Sequence, residues 1–439
     1  MNPRLAVPIA LTSALAGAAL ALAPAPPAAA APTCHGQRAT VVGQGHGALH
    51  GTAGRDVIVT NGATVISGGD GHDLICVIGA ANQVTVEAGD GNDVVDVQAK
   101  GSKVSYRSGL GSDVYQGNAQ YDSVRLRPDG RDMVVTGGGR DIVTITPVPS
   151  PGHPRVALGG GEDHLYLELA SLAGRVDGGS GADQLLVNHA SERRWSFDNT
   201  RGRATAGHEV RYRWRSFESF VLSGLRAPAI EFTGSDRAET FYAQDYSNAS
   251  REMTLRMGGG EDTVTVFARQ HGVVDGGSGR DRLTVGVNLI DDRNKVVADL
   301  ATGQATVQNG DLIQTWTLGG LEDLRAEQWQ SAELYGDDGP NVLTTAFTCV
   351  AVLDGRDGAD TLDGSGSSCD TFNTPPPATA TTARGGSGDD TLRGGLFNDD
   401  LEGGEGTDSA DGGGGTDTCV AEVRTACELP APRSAAPLG

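Results

Sequence analysis

Residues 385–420 read as four contiguous nonapeptides, GGSGDDTLR, GGLFNDDLE, GGEGTDSAD and GGGGTDTCV, each opening on Gly-Gly and carrying Asp at its sixth position. A fixed period of nine permits stacked repeats and little else, because every unit must meet its neighbour in the same way. Adjacent glycines let the backbone turn sharply, reach positive φ and bring carbonyl oxygens close to an ion. One nonapeptide makes half a coil, so alternate turns stack on one edge. Asp390 is therefore expected against turn 403–408, and Asp399 against turn 412–417. Phe397 replaces the fourth-position glycine of the second unit, and Ala410 replaces a large apolar strand residue in the third. The 394–399 turn is the weakest of the four.

This block resembles the repeats-in-toxin, or haemolysin-type calcium-binding, family, whose motif is GGxGxD followed by a short strand. The resemblance implies an all-β fold, a parallel β-roll or β-solenoid, in which the six-residue turns bind several Ca2+ ions. Calcium takes six to eight hard oxygen ligands, which carbonyls and carboxylates supply. The candidate metal-binding residues here are Gly385, Gly386, Gly388, Asp390, Asp399, Gly403, Gly404, Gly406, Asp408, Gly412, Gly413, Gly415 and Asp417.

Similar turns recur at wider spacing: GTAGRD (51–56), GGDGHD (68–73), AGDGND (88–93), SGLGSD (108–113), TGGGRD (136–141), LGGGED (158–163), GGSGAD (178–183), MGGGED (257–262), GGSGRD (276–281) and GRDGAD (355–360). They add Asp73, Asp93, Asp113, Asp163, Asp183, Asp262, Asp281 and Asp360 as candidate ligands. Spacing near twenty predicts one coil per repeat, with the turns along one edge only. Around Asp113, Asp122, Asp132 and Asp141 the spacing halves, so both edges are candidates there. Asp70 and Asp90 add carboxylates at third positions, whereas Arg55, Arg140 and Arg280 place a cation at fifth positions. The plain structural alternative for every such turn is a corner whose Asp bonds the next turn's amides.

A larger duplication overlies the coils. GGGEDHLYLEL…RVDGGSGADQLLV (159–187) matches GGGEDTVTVF…VVDGGSGRDRLTV (258–285), FDNTRGRAT (197–205) matches ADLATGQAT (298–306), Trp214 aligns with Trp316, and FTGSDRAETF (232–241) matches LYGDDGPNVL (334–343). Glu239 and Asn341 then occupy positions where Asp is expected, which argues against calcium at Asn341. The expected division is a signal peptide (1–31), N-terminal repeats (32–190), a first insert with its degenerate turn (191–257), the second copy (258–373), a Pro/Thr linker (374–384), the nonapeptide roll (385–428) and a disordered tail (429–439). Sixty-five glycines and 5% aromatics suit thin stacked coils better than a conventional packed globule.

Arg4, the apolar run Leu5–Leu22 and small residues at 28–31 read as an export signal, placing the chain outside the cell. No later segment is apolar enough to span a membrane as a helix. Six cysteines in an exported chain suggest disulfides, and neighbour pairing gives Cys34–Cys76, Cys349–Cys369 and Cys419–Cys427. The formal net charge of −22 fits rows of carboxylates awaiting cations. Two such charges about 4.8 Å apart repel by roughly 3.5 kcal/mol at an effective dielectric of about 20. The nonapeptide block is therefore expected to be disordered without calcium.

The segment Val210–Arg215 alternates arginine with apolar residues. Its counterpart carries Ile313, Thr315 and Thr317, so a half-solvated strand explains it, and nucleic-acid binding is not expected. The histidines at 35, 46, 50 and 72 lack zinc-site spacing. No hydrolase signature is present. Two functions remain open. One is a non-enzymatic, calcium-stabilised module for adhesion or binding, its partner a cell surface or polysaccharide that the sequence does not name. The other is a polysaccharide lyase, hydrolase or epimerase, with Trp195, Trp214, Trp316 and Trp329 lining a groove.

Overall fold

The computed structural model describes residues 31–430 apart from short stretches at 80, 147, 149–151, 169–173, 189–193, 225–226, 245–249, 288–292, 367 and 369–379. The expected export signal, up to residue 30, the Pro375–Pro377 run and the tail from 431 lie outside the described residues.

Alternation of apolar and polar residues, the period of a strand with one buried face, sets the architecture. In Arg155–Gly160 the buried residues are Val156 and Leu158, and in His164–Glu168 they are Leu165 and Leu167. Each such strand pairs in parallel with its equivalent one coil later. One sheet runs from Ala48–His50 to Val423–Thr425, and the other from Val41–Val42 to Leu429–Pro430. Both stay open among the described residues. In the first, Ala48–His50 pairs only with Val65–Asp70 and Val423–Thr425 only with Ser409–Asp411. In the second, Val41–Val42 pairs only with Val57–Val59 and Leu429–Pro430 only with Thr418–Val420. No helix occurs among the described residues, so none is long and apolar enough to cross a membrane. The chain is an all-β parallel β-solenoid, as expected.

Between the sheets runs one continuous core. On the first sheet, Val143, Leu165, Leu185, Phe220, Phe241, Val264, Leu283, Leu324, Leu343, Leu362, Leu392 and Ala410 stack in register and are all buried. Burying each large side chain contributes about 1.5–3 kcal/mol. No coil could achieve this alone.

The duplicated inserts widen this core. On the second sheet, Arg175–Ser180 pairs with Glu209–Arg215, which continues antiparallel through Arg203–Ala206 to Trp195–Asp198, and that strand pairs in parallel with Ala229–Thr233. Gln270–Ser278, Leu312–Gly319, Gln304–Asn309, Lys295–Asp299 and Ser331–Tyr335 repeat the path. Opposite each meander the first sheet adds a single strand, Ser219–Ser223 or Asp323–Glu327. The second sheet thus gains about 10 Å more width at each insert. In the first copy aromatics fill the space, in a chain from Trp195 through Phe197, Trp214, Phe220 and Phe232 to Phe241 with ring centroids 4.8–6.5 Å apart. All four tryptophans are buried.

The structure also shifts the alignment of the two copies. Tyr212 and Trp316 oppose Ala204 and Ala305 respectively, so Trp316 is the counterpart of Tyr212, and Trp214 that of Leu318. A slip of two keeps the same face buried, which is why the sequence match concealed it.

At the N-terminal end, Cys34–Cys76 ties the opening hairpin to the second coil, and Cys419–Cys427 closes the last one. Cys349 is also disulfide-bonded, while its expected partner Cys369 lies outside the described residues. Residues 381–384, expected in the linker, belong to the strand Thr381–Ser387, which pairs in register with Val350–Asp357. The nonapeptide block therefore stacks directly on the preceding coil.

Candidate metal-binding edges

Where the chain passes from one sheet to the other, its backbone N–H groups leave the regular ladder, and a buried N–H needs a partner. The sixth-position Asp supplies it. In each case Oδ1 accepts the N–H of the equivalent residue one coil earlier. Asp56, Asp73, Asp93 and Asp113 donate in turn to Asp73, Asp93, Asp113 and Asp132 at 2.8–3.0 Å. A second ladder runs Asp122, Asp141, Asp163, Asp183 and ends on Glu218. A third joins Glu239, Asp262, Asp281 and Glu322. In the C-terminal part, Asn341, Asp360, Asp390, Asp408 and Glu422 form one ladder, and Thr381, Asp399, Asp417 and Glu428 another. The expected stacking of Asp390 on Asp408 and of Asp399 on Asp417 is present.

The expectation of a single edge is corrected. Turn 68–73 leads from the first sheet, Val65–Asp70, into the second, Leu74–Val77. Turn 158–163 leads the opposite way, from Arg155–Gly160 to His164–Glu168. Asp73, Asp93, Asp113 and Asp132 thus line one edge, and Asp122, Asp141, Asp163 and Asp183 the other. Half-coil spacing between Asp113 and Asp141 moves the motif across, and both edges carry it there.

Oδ1 fulfils the corner role, and the second carboxylate oxygen is left over. Oδ2 of Asp73, Asp93, Asp132, Asp141, Asp163, Asp183, Asp262, Asp281, Asp360, Asp390, Asp408 and Asp417 is buried without a hydrogen-bond partner. Where the turn opens on glycine, as at Gly68, Gly178, Gly276, Gly355, Gly385, Gly403 and Gly412, this oxygen sits over that residue. A Cβ on Gly385, Gly403 or Gly412 would lie 2.2–2.5 Å from Oδ2 of Asp390, Asp408 or Asp417. Backbone oxygens of one turn face the next. A Cβ on Gly404 or Gly406 would come within 2.0 Å of the carbonyl oxygens of Gly386 or Gly388. Only glycine leaves this cradle open, at φ of 116° and 142° for the last two. Its walls are oxygen, the donor set of a hard cation.

Electrostatics point the same way. Burial first, with neighbouring carboxylates adding to it, pushes Asp113 and Asp262 up to about 7 and Asp93, Asp183 and Asp360 up to about 6. Burial raises Asp73, Asp163, Asp281, Asp390, Asp399 and Asp417 as well. Asp56 differs: burial pushes it up, but hydrogen bonds from Thr52 and Thr40 outweigh this and hold it low. An ionised carboxylate buried with one oxygen unpartnered is costly unless a cation joins it.

Not every candidate has a spare oxygen. Asp399 Oδ2 accepts the Gly395 N–H at 2.6 Å, and Asp113 Oδ2 takes a long contact of 3.4 Å from Gly109. At Glu239 the carboxylate is engaged by Ser235 and Asn199. Asn341 accepts from Asp337 N–H and donates to Glu322 O. Both degenerate turns thus fill the cradle from within. Asp132 and Asp141, absent from the sequence-derived ligand set, carry the same unpartnered oxygen; half-coil spacing was the available signal for Asp132, and the TGGGRD turn itself for Asp141. Arg280 pairs with Asp323 at 2.7 Å instead of entering a turn. His35 bonds Asp96 at 2.8 Å beside Cys76, whose sulfur is in a disulfide, so these three form no metal site.

The model of the RTX calcium-binding nonapeptide repeat matches residues 352–368 and 384–419, in four copies. No curated protein shows significant similarity to the chain. The matched residues carry the glycine cradles and the stacked carboxylates of Asp360, Asp390, Asp408 and Asp417. The chain bears RTX calcium-binding repeats on a β-solenoid.

Proposed function

We propose that this is an exported, calcium-stabilised solenoid acting as a non-enzymatic binding or surface module, its stacked turns holding a row of Ca2+ ions. The observation that carries the reading is the run of buried, unpartnered Oδ2 atoms, set over glycine in the turns of Asp390, Asp408 and Asp417. Asp390 and Asp408, with carbonyls of the 385–388 and 403–406 turns, would hold one ion, and Asp399 and Asp417 would hold another less securely. Bound calcium would neutralise like charges that otherwise repel across adjacent coils. The leader and the cysteine pairing support export. Solenoid coils account for the described residues from Val41 to Pro430, and the tryptophans considered as sugar-stacking residues belong to the core.

The test is calorimetric titration of the chain from residue 32 onward with calcium, magnesium as control, alongside thermal melts in calcium and in chelator. Calcium-specific binding with dissociation constants of about 10⁻⁴–10⁻³ M and a higher melting temperature are expected. Identical melts with no calcium heat would sink the proposal and leave the turns as plain corners.

A further inference from the structure

The outer face of the second sheet gathers basic residues in an extended row. Elsewhere several strand bases face an acid, as Arg107 does Glu87, Lys295 Glu333, Arg384 Glu402 and Arg393 Asp363, and the like-charged pair Arg107 and Arg125 stops at two residues. Arg155, Arg175, Arg213 and Arg203 instead stand opposite one another in register on four consecutive strands. Strand spacing sets them about 4.8 Å apart. None of the four guanidinium groups makes an ion pair or hydrogen bond among the described residues. Like charges placed directly opposite destabilise a sheet, and here this happens in a chain of net charge −22.

The second copy of the insert shows that the fold does not require these arginines. By the same register its row is Thr254, Val273, Thr317 and Gln304. The equivalent row is filled there without a single charge. An open cleft of about 550 Å³ is lined by Arg155, Arg175 and Arg213 of the row, with Arg215 held by Asp177 at its side. It adjoins a second cleft lined by Arg131, His153, Arg155 and Arg175 together with Asp132.

We propose that this arginine row binds a linear acidic polysaccharide lying across the strands, one anionic group to each guanidinium. A guanidinium matches carboxylate or sulfate oxygens in paired hydrogen bonds. The regular rise of the coils suits a polymer bearing charges about every 5 Å. Nucleic acid is disfavoured, because base stacking needs exposed aromatics and the aromatics of these strands, Tyr212 and Trp214, face the core. The inference rests on the reading of the chain as a binding module, and the experiment separates the two.

The calcium-loaded full chain would be measured against polygalacturonate, dextran sulfate, neutral dextran and single-stranded DNA at low and high salt. Arg155→Gln, Arg175→Gln and Arg213→Gln combined should weaken binding to the acidic polymers by more than about 100-fold. The same three positions changed to Lys, which keeps the charge but loses the paired hydrogen bonds, should bind more weakly than the parent chain yet clearly better than the Gln variant. Arg107→Gln with Arg384→Gln should leave binding unchanged. Absence of binding to either acidic polymer would overturn the inference, as would undiminished binding by the triple Gln variant or equal binding of DNA through the row. Melts in calcium and chelator on the same samples distinguish the failures. Lost polymer binding with intact calcium stabilisation breaks this inference alone; polymer binding without calcium stabilisation breaks the calcium reading alone.

Discussion

The nonapeptide block and the insert-bearing middle of the solenoid use the same corner but depend on it to different degrees. In residues 381–420 a motif recurs every half coil, so both edges carry stacked carboxylates, and the core narrows to Ala383, Leu392, Leu401, Ala410 and Cys419. Between residues 195 and 346 one edge carries the ladder, twice interrupted where Glu218 and Glu322 end it, while aromatics and aliphatics fill a core widened by the meanders. Apolar burial scales with the surface removed from water, whereas carboxylate repulsion scales with how many charges stack. The first region has little of the former and much of the latter. The middle reverses this balance. The 381–420 end is thus expected to depend on calcium more than the middle, where Asp262 and Asp281 keep the same unpartnered oxygen but a larger core surrounds them.

The largest expected effect breaks the molecule along that line. On calcium removal, hydrogen exchange should become fast across residues 381–428 and stay slow in the meander strands around Trp195, Trp214, Trp316 and Trp329. Mass-spectrometric exchange in chelator and in excess calcium measures this directly. Uniform protection in both conditions, or uniform loss, would abolish the distinction. The Cys419–Cys427 link, worth about 2–3 kcal/mol for so short a loop, is not expected to rescue the block, because it closes only the last coil.

Acidity should sharpen the same contrast by a smaller amount. Asp93, Asp183 and Asp360 are raised to about 6, and Asp113 and Asp262 to about 7, in the folded chain. A raised folded value means that the native state holds its protons more tightly than the unfolded one. Without calcium, stability is therefore highest below the ordinary carboxylate range of about 4 and is lost as pH climbs through 6 and 7. Calcium acts in the opposite sense, since it needs the ionised form. Melts in chelator should be higher at pH 5 than at pH 7.5, and the increment from calcium should be small at pH 5 and large at pH 7.5. Asp198 and Asp299, held low against burial by hydrogen bonds to Thr200 and Arg201 and to Arg356 and Thr302, lose their contribution only at more acid pH. Equal chelator melts at both pH values would refute the argument.

Much of this was legible in the sequence because a fixed period writes itself into residue spacing. Spacing alone placed Asp390, Asp399, Asp408 and Asp417, and the chemistry of Asp beside free turn amides suggested its corner role. The edge switch was hidden, because coils of 19, 20 and 22 residues alternate through the ladders. Counting then cannot say which half-coil holds a turn. Glu218 follows Asp183 by 35 residues, so the insert hides its place as the last rung. The arginine row was invisible for the same reason. Arg213 opposes Arg175 only after the chain has run out through two antiparallel strands and back. Arg213 was visible in an alternating strand, but its neighbours across the sheet were not.

The smallest effect comes from a single carboxylate, and it separates the two oxygens of one side chain. Asp163 accepts the Asp141 N–H at 2.7 Å through Oδ1, while its Oδ2 is buried and unpartnered. Asp163→Ala removes both and leaves the Asp141 N–H unsatisfied, a loss of about 1–3 kcal/mol in either buffer on top of the effect of deleting the charge. Asp163→Asn keeps an acceptor for that N–H and deletes the charge. The native Asn341 shows that an amide is tolerated at the sixth position, although there its Oδ1 accepts the Asp337 N–H of its own turn and its Nδ2 donates to Glu322 O. In chelator at pH 7.5, then, Asp163→Asn should melt above the parent chain, because a buried charge has gone. In calcium it should melt below it, because a ligand has gone. Inversion of the rank order between the two buffers is the signature of an oxygen reserved for metal. If Asn and Ala lower the melting temperature equally in both, Oδ2 at this coil has no such role, and the metal-dependent region ends short of it.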